Sequence, residues 1–266
     1  MPSKRKLFAI FGNPVSHSIS PLMHNYAHKG LQTGDCYTRY LLEDPDRLKE
    51  TFLKLKLSGV NVTVPHKEAA FRACDEVGGI AQQIEAINTI VLEDGKLIGY
   101  NTDAPGFFKS AESFGKINSV TILGAGGTAK ALAAIFKEKG IKTTIINRSQ
   151  GRLDYFHERG FQTYTWESFK PFASDLLINT TSAGLQDENL PAPKEIISTL
   201  LENTKYAIDV IYNKNTPFLQ MAKAFGIPCK DGSEMLLYQG VIAFDLFYGH
   251  CYAQEEITRF MKKAFI

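Results

Sequence analysis

The chain predicts an α/β fold in two units, and three observations lead there. Short runs rich in β-branched and aromatic residues alternate with helix-patterned stretches from end to end, the pattern of parallel sheets crossed by helices. With 266 residues the chain is long enough for two domains of ordinary size. Near its middle, Gly124-x-Gly126-x-x-Ala129 joins a strand to a helix.

The elements follow in order. Leu7–Phe11 is the first strand, broken by Gly12-Asn13-Pro14. Pro21 suits a helix start with Ser20 as its cap, and Gly30 stops that helix after Lys29. Cys36–Leu42 reads as a strand and Asp46–Leu57 as a helix. Gly59–Val64 is a buried strand by its Val and Thr content. Ile87–Leu92 and Lys96–Tyr100 flank Asp94-Gly95, a strong hairpin signal. A second unit begins near Ala104, reached through a helical stretch from Asp103 to Phe114. There Ser119–Leu123, Thr143–Ile146, Asp175–Ile178 and Tyr206–Val210 are strands, and Gly126–Lys139 is a helix ended by Gly140. Two amphipathic helices close the chain, Ser233–Phe247 and Gln254–Phe265.

Composition removes several function classes. Hydrophobic residues at 44% and charged residues at 22% suit a soluble globular protein. A net charge of +2 is too balanced for a nucleic-acid footprint. No apolar run approaches the ~18 residues that a membrane span needs. The basic start, Met1-Pro2-Ser3-Lys4-Arg5-Lys6, runs directly into the first strand and does not read as a signal peptide. Cys36, Cys74, Cys229 and Cys251 form no C-x-x-C pair, which argues against zinc or redox motifs and for incidental thiols in a reducing cytoplasm.

The glycine loop has the context of a dinucleotide site: a strand before it, a helix after it, and a further strand about twenty residues on. Gly124 permits the tight turn, Gly126 lets backbone approach a pyrophosphate, and Ala129 lets helix pack close to strand; Ala125, Gly127 and Thr128 complete the loop. The helix N-terminus offers N–H donors and a positive dipole end to phosphate. The next strand ends in Asn147-Arg148-Ser149-Gln150-Gly151-Arg152, with no acid to bind ribose hydroxyls. Two arginines at a helix start oppose its dipole, and a 2′-phosphate explains them better than solvent does. NADP is the expected cofactor.

Two further stretches carry chemistry. Asn61-Val62-Thr63-Val64-Pro65-His66-Lys67 places a lysine just past a buried strand, and Asn101-Thr102-Asp103 supplies a carboxylate for it. A lone lysine in that place is usually a solvated charge; a lysine, an aspartate and a phosphate loop in that order is much rarer. The loop after the first strand holds Ser16 and Ser18 ahead of a helix N-terminus, a good place for a carboxylate. His17 and His24 read as structural.

Together these motifs resemble the shikimate dehydrogenase family over essentially the whole chain. The resemblance rests on Asn13-Pro14, His17-Ser18, Ser20-Pro21 and His24-Asn25; on Asn61-Val62-Thr63, Pro65 and Lys67; on Asn88-Thr89, Asn101-Thr102-Asp103 and Gly106-Phe107; and on the glycine loop, Asn147-Arg148, Asp209, Tyr212-Asn213, Asp231-Gly232, Met235-Leu236 and Gln239. It implies an N-terminal α/β substrate domain, residues 1–103 with 240–266, and a Rossmann-like NADP-binding domain over 104–239, the last helices returning to the substrate domain. It implies NADP-dependent, reversible reduction of 3-dehydroshikimate to shikimate, with Lys67 and Asp103 catalytic. Ser16 and Ser18 would hold the substrate carboxylate. Asn61, Thr63, Asn88, Asp103 and Gln239 would meet ring hydroxyls, with Tyr212 nearby. Thr180 and Ser182 would lie near the nicotinamide half of the cofactor, with Val210, Gly232 and Met235. Asn147, Arg148, Ser149 and Arg152 would take the adenosine end. The expected protein is a cytoplasmic monomer or homodimer, with no metal, nucleic acid or membrane.

Three positions depart from the family pattern: Glu85 and Glu234 stand where glycine is usual, and Lys214 where proline is usual. They bear on loop geometry and cofactor affinity. Rival readings are a broader quinate/shikimate dehydrogenase and a non-catalytic metabolite sensor. A methylene-tetrahydrofolate dehydrogenase layout does not suit the serine pair or Asn101-Thr102-Asp103.

Overall fold

The computed structural model describes residues 5–265; Met1–Lys4, the first part of the basic start noted above, lies outside them. The chain divides into two compact units, one running up to Gly106 and resuming at Leu237, the other Phe107–Leu236.

The first unit holds a six-stranded sheet: β1 (Leu7–Gly12), β2 (Cys36–Leu41), β3 (Gly59–Val62), β4 (Glu76–Val77), β5 (Thr89–Glu93) and β6 (Lys96–Tyr100), ordered β2-β1-β3-β5-β6-β4. β1 lies parallel to β2 and β3. The sheet is mixed and not parallel throughout, because β5 runs antiparallel to both β3 and β6. The hairpin accounts for the second of these pairings: Asp94 and Gly95 sit at φ +48 and +80, the left-handed pair of a two-residue turn. Phe11, Leu48, Phe52, Val60, Ile87 and Ile90 are fully or almost fully buried in its core.

The C-terminal helices close the other face of this sheet, and glycines set how closely. A Cβ at Gly59 would lie 2.5 Å from the Phe247 ring, one at Gly240 2.5 Å from Met23, and one at Gly30 2.3 Å from the Phe260 ring. The helix Ser20–Gly30 therefore ends where expected, but Gly30 serves the packing of Phe260; the left-handed residue beyond it is Gln32 at φ +53. Ser20 is not the cap. Ile19 occupies that position without a side-chain bond, and the Ser20 N–H donates to the Ser18 hydroxyl at 3.2 Å.

The second unit carries β7 (Ser119–Leu123), β8 (Lys142–Ile146), β9 (Gln162–Tyr164), β10 (Ser174–Asn179), β11 (Thr204–Asp209) and β12 (Cys229–Lys230), ordered β12-β11-β10-β7-β8-β9. Every pairing in it is parallel. Numbered within the unit, this is the 3-2-1-4-5-6 order of a Rossmann sheet. Residues along β10 are all buried, as a strand covered on both faces must be.

Several elements differ from the sequence reading. The second helix shortens to Leu48–Lys54 behind a 3₁₀ turn, Pro45–Arg47. β3 stops at Val62, and a helix over Lys67–Ala73 follows that the sequence reading did not contain.

Candidate active site

In an open α/β sheet a ligand crevice forms past the carboxyl ends of the strands where the connections reverse direction. In the first unit that place lies between β1 and β3. The loops leaving these strands hold Ser16, Ser18 and Thr63, and Asn61 lies within β3.

Lys67 is the first residue of Lys67–Ala73, and Asp103 the first of Asp103–Ala111. Lys67 Nζ donates to Asp103 Oδ2 at 2.5 Å, with side chains 29% and 16% exposed. Both ends of the pair are held by backbone. Ile87 N–H donates to Lys67 O at 3.0 Å. Thr102 N–H donates to Asn88 Oδ1 at 2.7 Å, and Ala104 N–H to Asn101 Oδ1 at 3.2 Å. This accounts for an asparagine two residues before the aspartate: it fixes the helix start that presents Asp103.

A buried polar network lies under the pair. Asn61 Oδ1 accepts from the Tyr37 hydroxyl at 2.7 Å, and Asn61 Nδ2 donates to Asn88 O at 3.2 Å and Thr89 Oγ1 at 2.9 Å. Both amide hydrogens of Asn61 are thus engaged within the protein, leaving a lone pair on Oδ1. Asn88 Nδ2 donates one hydrogen to Thr102 Oγ1 at 3.0 Å and keeps a second. Asn61 Oδ1 can therefore accept one more hydrogen bond, and Asn88 Nδ2 can donate one more. Gln239 is buried, its backbone pressed against Gly106, where a Cβ would come within 2.5 Å of Gln239 N. Ser16 is exposed and Ser18 buried. Tyr212 belongs to the second unit, in the loop after β11, where burial raises the pKa of its phenol.

In the second unit the connections reverse between β7 and β10, and the glycine loop leaves β7 at that point. Gly124 has φ +104, and a Cβ there would sit 2.8 Å from Thr180 Oγ1. Thr180 Oγ1 itself donates to Leu123 O at 2.7 Å, binding the loop after β10 to the end of β7. Added Cβ atoms at Gly126 or Gly127 would meet nothing within 4 Å, so the backbone there is open to a ligand. The helix Gly127–Glu138 has no side-chain cap on its first N–H groups. Ala129 is fully buried. This cradle fits a phosphate.

Asn147, Arg148, Ser149 and Arg152 follow β8. Asn147 folds back on Ser149 O at 3.0 Å, and among the described residues neither arginine has an ion-pair partner. The structure there is a 3₁₀ turn, Gln150–Arg152, before one short helix. The helix dipole there is correspondingly small, and the stretch is marked by two arginines whose charge no described carboxylate meets. Val210 and Gly232 come together: a Cβ at Gly232 would lie 2.1 Å from Val210 O. Met235 is half-buried nearby in sequence, on the helix Ser233–Phe247, and Ser182 is exposed.

Sequence reasoning missed the supports. Tyr37 and Arg39 project from one face of β2, spaced by two, and reach Asn61 and Ser18. Asp209 is fully buried and collects Asn179 Nδ2, the Thr216 hydroxyl and the Ile211 N–H. Burial raises its pKa, and these bonds oppose the rise. Of the departures, Glu234 pairs with Lys230 at 2.6 Å and Lys214 Nζ donates to Leu185 O at 3.2 Å. Among the described residues no group of His, Cys, Asp or Glu could hold a metal ion, and no helix is long and apolar enough to cross a membrane.

The family model for the shikimate dehydrogenase substrate binding domain matches residues 10–90. The NADP(+) shikimate dehydrogenase of Helicobacter hepaticus is 50% identical over 242 residues, covering 90% of each chain. The chain belongs to the shikimate dehydrogenase family. A Helicobacter pylori shikimate dehydrogenase is 44% identical over 250 residues, 92% of this chain and 93% of that one. Among solved structures, the shikimate 5-dehydrogenase of Thermus thermophilus, crystallised with NADP(H) and shikimate, superposes with a TM-score of 0.85 at 35% identity, covering 97% of this chain and 99% of that one. Family membership extends across both units, because these matches span nearly the whole chain.

Proposed function

We propose that this chain is an NADP-dependent shikimate dehydrogenase, catalysing reversible reduction of the 3-dehydroshikimate ketone to the shikimate alcohol. The Lys67–Asp103 ion pair carries the reading; the substrate and cofactor named for the relatives support it.

NADPH supplies the hydride. Reduction leaves negative charge on the former carbonyl oxygen, which needs a proton. Lys67, as an ammonium, hydrogen-bonds that oxygen, stabilises its charge and donates the proton. In the oxidative direction neutral Lys67 accepts the proton of the ring hydroxyl. Asp103 orients Lys67 through the 2.5 Å bond and accepts from a neighbouring hydroxyl. Ser16 and Ser18 take the ring carboxylate, and Asn61, Thr63, Asn88 and Gln239 the remaining hydroxyls, with Tyr212 contributing. Gly124, Ala125, Gly126, Gly127, Thr128 and Ala129 hold the pyrophosphate; Asn147, Arg148, Ser149 and Arg152 hold the adenosine 2′-phosphate; Thr180, Ser182, Val210, Gly232 and Met235 border the nicotinamide. The first unit is the substrate domain and the second the NADP domain. The protein works in the cytoplasm as a monomer or homodimer.

The test is NADPH formation from shikimate and NADP, with NAD and quinate as controls. Lys67→Ala should lower kcat by about 10²–10⁴-fold. Shikimate binding, measured directly, should weaken far less. The Lys67→Ala, Asp103→Asn double variant should be little worse than the poorer single one, since the two act as a unit. Wild-type hydride transfer in Lys67→Ala would remove the assignment.

A further inference from the structure

Arg39 is the one cation aimed at the serine loop whose charge the described residues leave unanswered. It lies on β2, opposite Ile10 of β1, and Ile10 in turn lies opposite Asn61 of β3. Arg39 thus stands in the same cross-strand row as a substrate-pocket residue. Its Nε and Nη2 both donate to the Ser18 carbonyl oxygen, at 2.9 and 2.7 Å. Ser18 is buried, and its hydroxyl already accepts the Ser20 N–H. The loop from Asn13 to Ser18 is otherwise held by few bonds: Asn13 N–H to Val64 O at 3.2 Å and Ser18 N–H to Val15 O at 3.1 Å.

The fork on Ser18 uses two of the five guanidinium N–H groups, and three remain. Arg39 is exposed, and among the described residues no carboxylate pairs with it. A cation whose partner is a neutral carbonyl leaves net positive potential at Ser18 and the loop that carries it.

We infer that Arg39 is a specificity-determining positioning residue for the acid group of the substrate. It acts through Ser18 in two ways. The fork fixes the loop that presents the two hydroxyls, and the unpaired charge makes that loop favour a carboxylate anion over an uncharged group of the same shape. The inference rests on the assignment of Ser16 and Ser18 to the ring carboxylate.

Shikimate and its uncharged methyl ester, compared as substrates, separate these effects. In Arg39→Gln the KM for shikimate should rise about 10-fold, the size expected for a partly screened charge at short range. The KM for the ester should rise much less, and kcat and the KM for NADP should hold. Arg39→Lys restores charge without the fork and should recover part of the loss for the acid. In the wild type, added salt should raise the KM for shikimate and leave that for the ester unchanged. An equal rise for acid and ester in Arg39→Gln, or no rise for either, overturns the inference, as does a salt-independent KM for shikimate in the wild type. Ser16→Ala keeps the two claims apart. If it raises the shikimate KM while Arg39→Gln does not, the carboxylate assignment stands and the role of Arg39 falls. If it does not, the assignment itself falls.

Discussion

The Tyr37 hydroxyl donates to Asn61 Oδ1 at 2.7 Å, and this bond fixes which way round the Asn61 amide lies. With Oδ1 toward Tyr37, Nδ2 faces Asn88 O and Thr89 Oγ1, both able to accept. Burial of Tyr37 pushes its pKa well up, so it remains a donor.

Tyr37→Phe should therefore raise the KM for shikimate with little change in the KM for NADP. Leaving a buried acceptor short of its donor costs about 1–3 kcal/mol, so the thermal midpoint should fall as well. Unchanged substrate kinetics in a destabilised variant would make the network purely structural.

Arg148 and Arg152 are proposed to meet the 2′-phosphate. Replacing both with glutamine should weaken NADP much more than NAD, because only NADP offers the phosphate. Equal weakening of the two cofactors, measured by titration, would move the arginines to the pyrophosphate or to the fold.

Glu85 adopts φ +53 and ψ +35, left-handed, at the end of the helix Ile80–Ile84. A side chain there costs energy that glycine avoids, offset in part by the larger entropy glycine loses on folding. Glu85→Gly should raise stability by up to about 1 kcal/mol, read as a higher urea midpoint at unchanged slope. A lower midpoint would mean that the carboxylate itself contributes.

Acid should destabilise the first unit before it titrates ordinary carboxylates. Burial lowers the His28 pKa from 6.5 to about 4, partly countered by Asp35, and lowers that of His24 well below 6.5. Both histidines fold neutral. Below pH 6.5 the unfolded chain binds protons that the folded one refuses, so stability falls with pH and the loss levels off only below the folded values. For His28 alone it reaches up to ~3 kcal/mol. Asp75 and Asp175 have pKa values held below the usual range by Lys49 and Lys205, so they stay charged through this window. Urea midpoints at pH 7.5, 6 and 5 should fall in wild type and fall less in His28→Gln; a flat profile would refute the account.

Local rules made much of this molecule legible. Asp94-Gly95 specified its hairpin, and Gly124 its turn, because φ > 0 is a property of one or two residues. Lys67 and Asp103 stood out by type and place. What stayed hidden depends on distance along the chain. Tyr37 meets Asn61 from 24 positions away, and Arg39 meets Ser18 from 21. The helix Lys67–Ala73 was masked by the Pro65-His66 pair before it. Ser20 looked like a cap because nothing local says that the Ser18 hydroxyl takes its N–H.

The first unit is assembled from both ends of the chain, and the second from one uninterrupted stretch. During synthesis the ribosome therefore adds every residue of the second unit before it adds the last part of the first. Until Leu237 onward emerges, Gly59 has no Phe247 against it and Met23 has no Gly240. Of the two, the contiguous unit is the one able to start folding before the last helices emerge. The early β1–β6 segment waits with apolar surface uncovered, the state in which chaperones and proteases meet a nascent chain. A stop codon just before Leu237 would thus spoil the half of the protein that was translated first.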